Sequence, residues 1–156
     1  MALRSRELSV VEHVTDALDR LAADPYNTVI TLDDRAPERA AALDAELAAG
    51  RWRGPLHGVA VGVKDLIDVA GLPTRCGSLV FADAPPAAAD APVVARLLEA
   101  GAVVVAKLHT HEFAYGPTGD VAATGPARNP HDPPVIRDGS CGLWAGPVAA
   151  TSPVGP

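Results

Sequence analysis

A chain of 156 residues suffices for one domain with a real core, and a hydrophobic share of 48% excludes wholesale disorder. A formal net charge of −6 favours neither nucleic acid nor an anionic membrane as a partner. Two cysteines, Cys76 and Cys141, cannot build a disulfide framework and suit a reducing cytoplasm. No signal-peptide core precedes Leu8, and no apolar run approaches the roughly 18 residues of a membrane span.

In chain order, Ser9-Val10-Val11-Glu12 matches a capping box. Val10, Val11, Val14, Leu18 and Leu21 then recur at helical spacing, predicting a first helix that ends near Asp24-Pro25. Thr28 to Leu32 reads as a short strand. Pro37 opens a second helix with Ala40, Leu43 and Leu47 on one face and Gly50 as its stop. Val59, Val61 and Val63 then alternate with Ala60, Gly62 and Lys64, the period of a strand. That alternation puts Lys64 on a face with the two smallest side chains of the run, which predicts room beside it. Desolvation there would make Lys64 a candidate base; a strand-end lysine snorkelling into water is the structural alternative.

Asp90-Ala91-Pro92 starts a third helix, carrying Val93, Val94, Leu97 and Leu98 and stopping at Gly101. Ala102 to Ala106 is a continuous apolar run, expected of a strand buried on both faces. Strand, helical connection and strand again predict an α/β layer architecture. Ala82 to Ala91 reads as a loop. No convincing periodicity follows Gly116, where prolines at 126, 130, 133, 134, 147, 153 and 156 favour loop.

Beyond Lys64, three groups invite chemistry. His109 and His111 share a face in an extended segment beside Glu112, but two histidines and one acid fall short of a metal site and read as a polar turn after a strand. Cys76 has no partnered base nearby in sequence and reads as a small buried residue. Gly139-Ser140-Cys141-Gly142 places a hydroxyl beside backbone freed by glycine. Neither a Gly-x-Ser-x-Gly elbow nor a phosphate-binding Gly-Lys-Ser/Thr occurs.

Taken together, the ordered blocks resemble the amidase signature family. Gly54-Pro55-Leu56-His57-Gly58-Val59 leading to Val63-Lys64-Asp65 resembles the family's lysine-bearing strand. Gly71-Leu72-Pro73-Thr74, Gly77-Ser78, Asp90 to Leu98 and Ala100-Gly101-Ala102 follow in the family's order. Lys107 with Glu112-Phe113-Ala114-Tyr115-Gly116, then Arg128-Asn129-Pro130-His131-Asp132-Pro133, match its next blocks. The resemblance implies the N-terminal part of a mixed central sheet covered by helices. It divides the chain into a helical layer over 1–50, a lysine-bearing α/β segment over 54–137 and a degenerate signature loop and tail over 138–156. It also implies hydrolysis of carboxamide C–N bonds through a Lys/cis-Ser/Ser relay, without metal or cofactor. By that resemblance Lys64 matches the terminal base and Ser140 the bridging serine, with Gly139 and Cys141 expected at the substrate. A small amide is the implied substrate, and homo-oligomer formation stays open.

The pattern departs from the family after Arg137. Asp138 stands for a glycine and Cys141 for a second serine, while Leu143, Trp144 and Pro147 occupy places of small helix formers. Proline inside a helix costs about 3 kcal/mol. Ungapped counting makes Ser140 the bridging serine, whereas one gap would make it the second. The nucleophile belongs some two dozen residues further on, and Ser152, between Thr151 and Pro153, is the sole later serine. These departures imply an N-terminal portion with a frameshifted or degraded tail, inactive alone, in which strand 102–106 would lack neighbours. The alternatives are a non-catalytic binding or assembly module and part of the A component of a tRNA-dependent amidotransferase, which needs partner subunits and glutamine.

Overall fold

The computed structural model describes residues 2–116 and 122–136. A short helix, α1 (Ala2–Ser5), buries Leu3 ahead of α2 (Val10–Ala22). The expected capping box is present: Ser9 Oγ accepts the Glu12 N–H, and the Glu12 carboxylate accepts the Ser9 N–H. Strand β1 (Val29–Leu32) and helix α3 (Ala36–Ala48) follow, with Pro37 in the first turn. Asp44 of α3 reaches across to α2, where its two carboxylate oxygens accept the Val10 and Val11 N–H groups at 2.8 and 3.0 Å. One side chain thus satisfies two otherwise orphaned donors and joins the helices.

Strand β2 (Ala60–Lys64), helix α4 (Pro92–Glu99) and strand β3 (Val103–Leu108) complete the α/β unit. The sheet order is β1-β3-β2, with β2 parallel and β1 antiparallel to β3. Residues Val103 to Lys107 are all buried, so the apolar run is the central strand, as its composition predicts. It has a neighbour on each side, contrary to the expectation that it would lack them. One sheet face, with Ala60, Val103, Val105 and Ala106, packs on α2 and α3. The other, with Val63 and Val104, packs on Val94 of α4 and on Val69 and Leu72 of the connection after β2. Strand β1 within 1–50 therefore belongs to the same sheet as the lysine-bearing segment.

Two expectations need correction. The segment after Gly116 holds a hairpin, β4 (Arg128–Asn129) with β5 (Asp132–Ile136), despite its prolines; the Arg128 N–H ties its start to Tyr26 O at 2.8 Å. And no room is left at Gly62. Its partner-strand neighbour Leu108 leans over it, and a Cβ there would meet Leu108 Cγ at 2.8 Å. Glycine at 62 serves sheet packing. Among the described residues no helix is long and apolar enough to cross a membrane.

Asp44→Ala removes both acceptors from the α2 terminus and is expected to cost about 1–2 kcal/mol, measured by urea denaturation.

Candidate active site

Parallel strands β2 and β3 end side by side, and in α/β sheets the carboxyl ends of the strands are where ligands sit. Lys64 is the last residue of β2, opposite Leu108 in register, and half-buried. The next residue, Asp65, is held on four sides. Its N–H donates to Leu108 O (2.9 Å), and its carbonyl accepts the Cys76 N–H (3.0 Å). Its Oδ2 accepts the Arg75 N–H at 3.1 Å. Its Oδ1 lies 2.8 Å from Lys107 Nζ, a charge contact between side chains 1% and 0% exposed. Lys107 Nζ also donates to Pro73 O (3.2 Å) and Thr74 Oγ1 (2.9 Å).

Sequence patterning does not reveal this buried pair; it places Lys107 only within a matching block. A usable signal is nonetheless present: a lysine ending a wholly apolar buried strand needs a counter-charge, because an unpaired buried ion is costly.

The 73–78 loop stacks on the segments after β3. Gly77 has φ +66°, and a Cβ there would stand 2.9 Å from Thr110 O, so only glycine allows this approach. The Phe113 N–H donates to Cys76 O and the Ala123 N–H to Gly77 O. Phe113 and Ala114 adopt left-handed angles, φ 51° and 56°, which non-glycine residues reach at a cost of order 1 kcal/mol each. Phe113 meets Phe81 edge-on at 5.8 Å, and Leu79, Val80 and Tyr115 are exposed around them.

His109 and His111 occupy separate niches. His109 is buried, its Nε2 on Gly125 O at 2.7 Å, and Asn27 Nδ2 donates to the carbonyls of Thr124, Gly125 and Pro126. His111 lies under Gly116, where a Cβ would meet its ring. Among the described residues no three His, Cys, Asp or Glu side chains gather as a metal set. Cys76 is half-buried rather than buried, and burial together with Asp65 pushes its thiol pKa up, which disfavours the nucleophilic thiolate. Gly139, Ser140, Cys141 and Ser152 lie outside the described residues.

Two measurements follow from these environments. Burial pushes the His109 pKa below its ordinary value, and burial does the same to His13 on α2. Their contribution to stability is therefore complete above about pH 6.5 and is lost as pH falls through the folded-state values. In urea unfolding against pH, His109→Gln is expected to remove part of that slope and leave the His13 part. Alkylation of Cys76 at pH 7, followed by mass spectrometry, should run about tenfold slower in the folded chain than in urea.

The family model for Amidase matches residues 10–153. An amidase of Pseudomonas putida is 45% identical over 134 residues, which cover 84% of this chain and 27% of that protein. The A component of the glutamyl-tRNA(Gln) amidotransferase of Acidothermus cellulolyticus is 42% identical over 152 residues, covering 95% and 30%. Among solved structures, the native peptide amidase from Stenotrophomonas maltophilia superposes with TM-score 0.82 at 33% identity, covering 92% of this chain and 32% of that one. A vestigial protein complex bearing on the origins of an s-triazine catabolic enzyme superposes with TM-score 0.88 at 37% identity, covering 95% and 34%. The chain thus spans 27% and 30% of the lengths of these two curated relatives. With the family model matched over nearly the whole length of the chain, the chain belongs to the amidase family.

Proposed function

We propose that this chain carries the base end of a carboxamide-hydrolysing relay, with Lys64 as terminal base and Ser140 as bridging serine. The observation that supports it best is the placement of Lys64: half-buried, at the carboxyl end of a parallel strand whose next residue is tethered on four sides. A general base works only when its position is fixed relative to the proton it takes. Neutral Lys64 Nζ would accept the proton of Ser140 Oγ, which in turn takes the proton of a nucleophilic serine. That serine's oxygen then bonds to the amide carbon. The C–N bond breaks, the relayed proton leaves with the amine or ammonia, and water cleaves the ester to release the acid. Gly139 and Cys141 flank the bridging serine and would face the substrate. No step calls for a metal or cofactor.

The substrate class is a small carboxamide, in keeping with relatives described as amidase and peptide amidase. The nucleophile in the family pattern stands well past the bridging serine, and Ser152, flanked by Thr151 and Pro153, does not supply it. The 156 residues alone thus hold two of three relay members, and a continuation of the domain would add the third. A second reading, a role in assembly with partner subunits, draws on the exposed Leu79, Val80, Phe113 and Tyr115 and on the similarity to an amidotransferase component.

The expected outcome is no ammonia release from carboxamides by the 156 residues. In a chain extended by the remainder of the domain, Lys64→Ala should lower kcat by about 10³-fold or more with KM within a few-fold. Turnover by the 156 residues would contradict their inactivity. Undiminished kcat in the extended Lys64→Ala chain would contradict the relay.

A further inference from the structure

Of thirteen cationic side chains, eleven are arginine, and the two lysines are Lys64 and Lys107. The fold brings both to one place, the adjoining carboxyl ends of β2 and β3. Positive charge elsewhere in this chain is left to arginine, while of the two amines Lys107 is fully enclosed, where a compact cation suits better than a planar guanidinium, and Lys64 is half-buried. Lys107 is 0% exposed and lies among Asp65, Pro73 and Thr74.

We propose that the buried Asp65–Lys107 pair positions Lys64, clamping the strand end and the 73–76 loop into one rigid support; the functional meaning of this rests on the relay reading above. Asp65 shares a peptide bond with Lys64, so whatever fixes Asp65 fixes the Lys64 backbone. Lys107 acts at two points. Its amine neutralises the Asp65 carboxylate, and its contacts with Pro73 O and Thr74 Oγ1 hold the start of the loop whose Arg75 and Cys76 N–H groups return to Asp65. The contacts close a ring from β3 to the loop to β2 and back through Asp65 N–H to Leu108 O. A buried ion pair is a weak source of net stability, since an apolar replacement of both partners is often neutral. What this one supplies is geometry at the residue beside Lys64. Asp65 and Lys107 are positioning residues.

The test uses Asp65→Asn/Lys107→Met, which removes both charges and keeps an acceptor for the Arg75 N–H. With one lysine left, the acylation rate of Lys64, read by mass spectrometry, is free of overlap. The variant is expected to melt close to the parent. Its Lys64 acylation at fixed pH should change by about threefold or more, and exchange of the Arg75 and Cys76 amides should rise about tenfold. The Asp33 amide, bound to Val105 O in the core, should keep its parental exchange rate. The single Lys107→Met leaves Asp65 buried and uncompensated and should be markedly less stable than the double variant. Parental Lys64 acylation and amide exchange in a folded double variant would overturn the proposal. So would a double variant that loses its fold, since the pair would then be structural. None of these readouts uses an amide substrate, so they stand apart from any failure of the hydrolase reading.

Discussion

The parallel alignment of β2 with β3 is the constraint from which the rest of the molecule follows. It is bracketed by two backbone bonds, Val103 N–H to Val59 O at one end and Asp65 N–H to Leu108 O at the other. Between them Leu108 leans over Gly62, a contact that any larger residue at 62 would obstruct. Because the strands end in step, their terminal polar residues arrive together: Lys64 and Asp65 from one, Lys107 from the other. Apolar packing on both sheet faces, against α2 and α3 below and α4 above, makes that end rigid.

Charge at this edge is arranged unequally. Asp65 and Lys107 neutralise one another out of water, whereas Lys64, one residue away, stays half-buried. A lysine serving as a base must reach both a proton donor and, at some stage, solvent or product. A lysine serving as a strut need reach neither. On the proposed reading, the two amines of this chain divide those roles by burial. The loop at 73–78 and the segments after β3 then form a floor. Its left-handed residues, Phe113 and Ala114, are held against local preference by bonds to Cys76 and His111.

Much of the scaffold was legible in the sequence because its signals are local. The Ser9/Glu12 capping box, the Pro37 start of α3 and the unbroken apolar run into β3 each depend on neighbours within a few residues. Lys64 was legible as a site candidate through the alternation that ends on it and the ordered blocks around it. The Asp65–Lys107 pair was not, since it joins residues 42 positions apart through a register that periodicity does not specify. The Asp44 cap on α2 escaped for the same reason: it is supplied from another helix. The hairpin at Arg128 to Ile136 was hidden by its prolines, which suppress strand propensity but are tolerated where no ladder donor is needed. The supposed space beside Lys64 failed because small residues on a strand face invite a neighbour's side chain.

On the proposed reading, the end of β2 presents Lys64 to the serine that follows Asp138-Gly139. A crystal structure of the chain continued through the nucleophile segment measures this directly. The account predicts Lys64 Nζ within hydrogen-bond reach of Ser140 Oγ, about 2.7–3.2 Å. Ser140 standing one register further on, with another group against Lys64, would contradict it.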